Sequence, residues 1–149
     1  MRAINKQLIT INNDMNRTIR KVAVLGSGIM GSRIACHFAN IGVDVLLLDI
    51  APRELTDDEK KKGLALDHPA VKNRIVNSAF EATLKANPAS LFSKKFASRV
   101  KLGNFTDDMS KIKNYDWTIE VVVENLDIKK KVYEEVEKYR TPGTLITSN

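Results

Sequence analysis

The sequence has a single cysteine and four prolines, and it lacks any long apolar run. One cysteine cannot close a disulfide within the chain, so we expect no secreted disulfide framework and favour a reducing, cytoplasmic location. Two histidines and one cysteine offer no ligand spacing for a metal site. The apolar runs have strand length, far short of the ~20 residues of a membrane-spanning helix, so we expect no membrane span.

Aromatic residues are also sparse, at 6% of 149 residues, although the net charge is +6. Basic proteins often meet phosphates, including those of nucleic acids. The lysines, however, stand in short clusters without the interleaved aromatic side chains on which single-stranded bases stack. We therefore expect solvated helix faces and no nucleic-acid partner. A nucleic-acid binder remains an alternative, which a steep salt dependence of binding and indifference to NAD would reveal.

Apolar runs of strand length alternate along the chain with stretches of helical periodicity. The strand candidates are residues 21–25, 43–49, 99–102, 117–123 and 144–147. This alternation predicts an α/β fold, a Rossmann-type doubly wound parallel sheet with strand order 3-2-1-4-5. Residues 50–97 predict a helical insertion after strand 2, with a helix from Pro69 to about Ala86, and Thr106 is predicted to cap a later short helix. We expect residues 1–20 to be an N-terminal tail and residues 21–149 to be one domain.

A glycine-rich turn follows the first strand and opens a helix. Its sequence is Gly26-Ser27-Gly28-Ile29-Met30-Gly31. In a βαβ unit the first glycine permits the tight turn, the second allows a pyrophosphate to approach the backbone, and the third allows close helix–sheet packing. The N–H groups at the helix start would then face the phosphates. The pattern predicts a dinucleotide site that includes Ile29 and Met30.

An acidic residue, Asp49, ends the second strand, 18 residues after Gly31. A carboxylate at this position accepts hydrogen bonds from the hydroxyls of an adenosine ribose and repels a 2′-phosphate. The sequence therefore predicts NAD as the cofactor, in preference to NADP.

Three segments resemble the NAD-binding domain of 3-hydroxyacyl-CoA dehydrogenases. They are KVAVLGSGIMGSRIACHFANIGVDVLLLDI, IEVVVENLDIKKKVYEEVEKY and the final TSN. The long stretch 50–97 is most similar to bacterial proteins in which the dehydrogenase is fused to an enoyl-CoA hydratase. The resemblance implies an oxidoreductase of fatty-acid β-oxidation, whose full-length form oxidises L-3-hydroxyacyl-CoA to 3-oxoacyl-CoA. A stand-alone NAD-binding or sensing module without catalysis is the alternative.

The same resemblance implies roles for individual residues. Glu124, Lys129 and Asn149 match residues at the cofactor, although Glu124 and Asn125 also suit the start of a helix and Lys129 a solvated helix face. Ser78 and Lys85 match, more loosely, a serine and a lysine that help to hold coenzyme A. Glu120 is unusual inside an apolar strand, and the sequence leaves its role open.

The family's catalytic serine would come two residues after Asn149, with its catalytic histidine and the orienting glutamate later still. We therefore expect no catalytic residue in this chain, no turnover by the chain alone, and a domain incomplete at its C-terminal end. The last strand would then present an unpaired edge, through which we predict a homodimer or, at higher concentration, aggregation. Coverage of this edge by residues 1–20 or by a loop is the alternative.

Overall fold

The fold is described from a computed structural model that covers residues 17–149, so most of the predicted N-terminal tail lies outside the described residues. Residues 17–20 belong to no helix or strand, although Ile19 packs against the core. The elements in chain order are β1 (Lys21–Leu25), α1 (Ile29–Asn40), β2 (Asp44–Asp49), α2 (Asp57–Lys61), α3 (Pro69–Lys72), α4 (Arg74–Leu84), a 3-10 helix (Lys94–Arg99), β3 (Val100–Asn104), α5 (Phe105–Asp108), a second 3-10 helix (Met109–Asn114), β4 (Trp117–Glu120), α6 (Leu126–Tyr139) and β5 (Leu145–Ser148).

The five strands form one parallel sheet in the order β3-β2-β1-β4-β5, which confirms the predicted topology. β1 lies at the centre of the sheet. Its residues 22–25 are fully buried because a strand lies on each side of β1 and helices cover both faces of the sheet. A strand buried on both faces has a continuous apolar sequence, which is the pattern seen in β1 and β2.

Alternate residues of β1 serve two separate cores. Val22 and Val24 face α1 and α4, while Ala23 and Leu25 face α6 and the second 3-10 helix. The small residues Ala35 and Ala39 lie fully buried in α1, which brings that helix close to the sheet. The helices therefore cover both faces and leave the carboxyl ends of the strands at one open edge.

The insertion after β2 differs from its prediction. The expected helix from Pro69 to about Ala86 is two helices, α3 and α4, with a break at Asn73. The Asn73 side chain accepts a hydrogen bond from the Asn104 amide at 2.8 Å, so this break is tied to the end of β3. A contact between residues so distant in sequence leaves no periodic signal, and the single-helix prediction was wrong.

Two further boundaries also differ. The helix after β3 begins at Phe105 and is capped by Asn104, whose side chain accepts from the Asp107 N–H at 2.9 Å, so the predicted cap at Thr106 was wrong. β4 ends at Glu120, three residues before the end of its apolar run. The Glu120 carboxylate accepts a hydrogen bond from the Val122 N–H at 2.7 Å.

Within residues 17–149 no helix combines the length and the apolar character needed to cross a membrane. The same range contains no group of three or more histidine, cysteine or acidic side chains arranged to hold a metal ion.

Candidate functional site

The glycine loop lies at the carboxyl edge of the sheet, between β1 and α1. Gly26 has a φ of +112°, and its N–H donates to the Leu48 carbonyl at 2.8 Å. A Cβ on Gly26 would lie 2.5 Å from the Val121 carbonyl oxygen, and a Cβ on Gly31 would lie 1.8 Å from the Gly26 carbonyl oxygen. These two glycines are therefore required by the packing of the protein itself.

Gly28 differs from both, because it is exposed and a Cβ there would meet no protein atom within 4 Å. Its φ of −55° is also open to other residues. Gly28 precedes α1, and no side chain in the described chain caps that helix. As at any helix start, the first N–H groups of α1 have no intrahelical acceptor, and the partial positive charge of this N-terminus favours an anion.

Asp49 lies beside this loop and is held by it. Its Oδ2 accepts hydrogen bonds from the Ser27 N–H at 2.7 Å and the Ser27 hydroxyl at 2.5 Å, and its Oδ1 accepts from the Ile50 N–H at 2.7 Å. Ser27 is buried and was not among the residues predicted from the sequence. The signal that could have indicated it is a hydroxyl residue between two motif glycines, followed by an acidic residue at the end of the next strand. A carboxylate has about four acceptor positions, so Oδ1 retains capacity for a further donor.

A second group of polar residues lies at the ends of β4 and β5. The Lys129 ammonium contacts Glu124 at 2.9 Å, Ser148 at 3.4 Å and Glu120 at 3.6 Å. The hydrogen bond that the Lys129 ammonium donates to Glu124 raises the pKa of Lys129, and the charge of Glu120 raises it further. Lys129 is therefore a charged residue throughout the neutral pH range, and it is no freely solvated helix lysine.

Glu120 is the centre of this group. Its side chain is 1% exposed, and besides the Val122 N–H it accepts from the Ser148 hydroxyl at 2.7 Å. Its backbone carbonyl accepts from the Asn149 N–H at 3.0 Å. The acid that the sequence left unexplained is thus a buried link between β4 and β5.

Asn149 joins the second group to the glycine loop. Its side-chain amide contacts the Met30 thioether, at the first turn of α1. A pocket of about 650 Å³ opens here, and the residues that line it include Ile29, Met30, Ser148 and Asn149. The structure thus brings together at one edge the glycines, Ile29, Met30, Asp49, Glu124, Lys129 and Asn149 that the sequence singles out.

Ser78 and Lys85 are not joined to this edge by any contact among residues 17–149. Ser78 is exposed on α4, and Lys85 follows the last residue of α4, where its ammonium pairs with Glu81 at 2.6 Å. Asn125, by contrast, caps α6 through hydrogen bonds from the Asp127 and Ile128 N–H groups, as the helix-start interpretation of residues 124–125 predicts.

These features suit a dinucleotide. Open N–H groups at α1 match the charge of a pyrophosphate, the unfilled space at Gly28 lets it approach the backbone, and Asp49 offers an acceptor for a ribose hydroxyl. The sequence matches the family described as 3-hydroxyacyl-CoA dehydrogenase, NAD binding domain, over residues 21–149. The chain belongs to this family. Its cofactor is NAD.

Similar proteins include a probable 3-hydroxyacyl-CoA dehydrogenase of Bacillus subtilis, 52% identical over 135 residues, which make up 91% of this chain and 17% of the relative. A putative fatty acid oxidation complex trifunctional enzyme of Rickettsia felis is 35% identical over 91% of this chain and 17% of its own length. The crystal structure of (S)-3-hydroxybutyryl-CoA dehydrogenase from Ralstonia eutropha matches with a TM-score of 0.56 and 27% identity, covering 89% of this chain and 41% of the other. The chain thus spans about a sixth of the length of the first two relatives.

Proposed function

We propose that residues 21–149 hold NAD for an L-3-hydroxyacyl-CoA dehydrogenase of fatty-acid β-oxidation. In that reaction the C3 carbon of the substrate would pass a hydride to the nicotinamide of NAD while the 3-hydroxyl group loses its proton, giving 3-oxoacyl-CoA, NADH and a proton. The family match and the two relatives named for 3-hydroxyacyl-CoA and fatty acid oxidation support this assignment. We keep the cytoplasmic location predicted from the sequence.

The observation that carries the proposal is the contrast between Gly28 and the other two motif glycines. Gly26 and Gly31 are explained by the protein's own packing, whereas the absence of a side chain at Gly28 serves no contact within the described chain. A ligand that passes over residue 28 gives that absence a physical reason.

The proposed contacts divide along the edge. The glycine loop, Ile29 and Met30 bind the pyrophosphate, and Asp49 binds the adenosine ribose. Glu124, Lys129 and Asn149 border the nicotinamide end. For Ser78 and Lys85 we keep the proposal of a coenzyme A contact, which is compatible with their exposure on one helix and its C-terminal cap.

Gly28→Ala tests the central contact. We expect its Cβ to obstruct the phosphates and to weaken NADH binding by at least about tenfold, equal to ~1.4 kcal/mol. The fold should be unaffected, because the added methyl group meets no protein atom within 4 Å. Binding is measured by calorimetry and by energy transfer from Trp117, the sole tryptophan, and stability by thermal unfolding. Unchanged NADH affinity in a folded Gly28→Ala variant contradicts the proposed path of the phosphates.

Asp49→Ala tests cofactor choice in the same titration. We expect the wild-type chain to prefer NAD to NADP and the variant to lose most of that preference, because the carboxylate that repels a 2′-phosphate is gone. Asp44→Ala is the matched control, since Asp44 is an exposed acid at the opposite end of the same strand. Tighter binding of NADP than NAD by the wild-type chain would overturn the role given to Asp49.

The homodimer also remains a proposal. β5 pairs with β4 on one side and with no other strand of residues 17–149, so its outer hydrogen-bonding groups are available to a second chain. Light scattering over a concentration series distinguishes a dimer from a monomer.

A further inference from the structure

Glu120 is a buried acid for which the proposed function so far has no use. A carboxylate that is 1% exposed has lost nearly all contact with water, which is costly unless donors replace it. Two hydrogen-bond donors and one cation do so here: the Val122 N–H at 2.7 Å, the Ser148 hydroxyl at 2.7 Å and the Lys129 ammonium, which forms an ion pair at 3.6 Å. Each of the three comes from a different segment, namely the loop after β4, β5 and α6.

The two acids that contact Lys129 differ in how firmly they are held. The Glu124 side chain is 83% exposed, so its ion pair is screened by water and competes with its own rotational freedom. The Glu120 carboxylate is held by the Val122 N–H and the Ser148 hydroxyl, independently of its contact with Lys129. The Lys129 side chain is itself only 18% exposed, and its ammonium lies 2.9 Å from Glu124 and 3.6 Å from Glu120.

From this asymmetry we infer that Glu120 is a positioning residue, which fixes Lys129 and the end of β5 in the arrangement that receives the nicotinamide half of NAD. This inference rests on the proposed function. Glu120 is too deeply buried to contact a cofactor, so it acts through Lys129 and through Ser148, the residue before Asn149. Glu124 is then the partner of Lys129 that a cofactor can displace without releasing the lysine.

A double-mutant cycle between Glu120→Gln and Lys129→Met tests the inference by NADH affinity. We expect Glu120→Gln alone to weaken binding about tenfold, a loss of ~1.4 kcal/mol that is typical of hydrogen bonds to charged groups. In the Lys129→Met background the same change should have less than about a twofold effect, because its route to the cofactor is already removed. A merely structural role of Glu120 predicts the same loss in both backgrounds.

Ser148→Ala gives a second route to the same answer if Glu120→Gln does not fold. It removes one exposed hydroxyl that contacts both charged groups, and we expect a smaller loss, about threefold, that again vanishes with Lys129→Met. Glu134→Gln, an exposed acid on α6, is the matched control and should bind as the wild type does.

The outcomes separate the two proposals. A wild-type chain that binds no NADH overturns the proposed function. The positioning role alone is overturned if the wild-type chain binds NADH and neither Glu120→Gln nor Ser148→Ala weakens that binding. It is likewise overturned if the loss of affinity persists unchanged in the Lys129→Met background.

Discussion

The open edge of the sheet and the helical insertion after β2 are built in opposite ways. At the edge, backbone hydrogen bonds fix the site. The Gly26 N–H donates to the Leu48 carbonyl, and the Val121 N–H donates to the Leu25 carbonyl. Gly26 directly follows β1, and Val121 directly follows β4. The insertion relies on side chains instead. α2 buries no residue, and α3 buries only Val71.

Polar contacts over long sequence distances hold α2 and α3 in place, whereas α4 packs its buried side chains against the sheet. Arg74 pairs with Glu59 and also donates to the Glu54 carbonyl at 3.1 Å, and Lys72 pairs with Asp107 at 2.7 Å. These partly buried pairs are few, whereas the strands of the sheet share a buried core. We therefore expect the edge to be the rigid region and α2 and α3 to be the part of the insertion that opens first.

The largest effect predicted from this contrast is that of Gly31→Ala. The new Cβ would lie 1.8 Å from the Gly26 carbonyl oxygen, so helix α1 must move away from the loop. We expect a loss of at least about 3 kcal/mol in the free energy of unfolding, measured by chemical denaturation. Gly28→Ala is the matched control: the same added methyl group, three residues away, should leave stability nearly unchanged. Equal stability of the two variants would contradict the division between packing and ligand glycines.

The same contrast explains which parts of the structure could be predicted from the sequence. The strand order, the limits of β1 and the edge position of Asp49 follow from local patterns, because parallel strands place their carboxyl ends together. The break at Asn73 and the cap at Asn104 depend on each other across 31 residues. The role of Glu120 likewise depends on three-dimensional contacts, including that with Ser148, which no spacing rule supplies.

Acid should weaken the insertion before the edge. The hydrogen bond from the Thr56 N–H, with the nearby Arg74 guanidinium, lowers the pKa of Glu59 below its ordinary value, and the Lys72 ammonium lowers that of Asp107. A lowered carboxyl pKa contributes stability above the unfolded value, near ~4.3 for glutamate, and loses it as pH falls through the folded value. We expect the hydrogen-exchange protection factors of residues 57–72 to fall below about pH 4.3, while β1 remains protected.

In Glu59→Gln we expect the hydrogen-exchange protection of the insertion to be lower already at neutral pH. Its further loss in acid should be smaller, because the Glu59 carboxyl is no longer there to be protonated. Glu137→Gln is the control, because Glu137 pairs with Arg140 on α6, outside the insertion. Simultaneous loss of protection in β1 and in residues 57–72 on acidification would show that the two regions unfold as one unit.

The smallest effect compares two buried threonines, one in each region. Thr118 in β4 is fully buried, and its hydroxyl has no hydrogen-bond partner among residues 17–149. Thr83 in α4 is also buried, but its hydroxyl donates to the Ala79 carbonyl at 3.0 Å. Thr118→Val replaces an unsatisfied hydroxyl by a methyl group of the same shape, so we expect a gain of about 1 kcal/mol in the free energy of unfolding. Thr83→Val removes a satisfied hydrogen bond and should give no gain. Denaturation midpoints of the two variants measure the difference, and a loss of stability in Thr118→Val would mean that its hydroxyl has a partner in solution, such as a buried water.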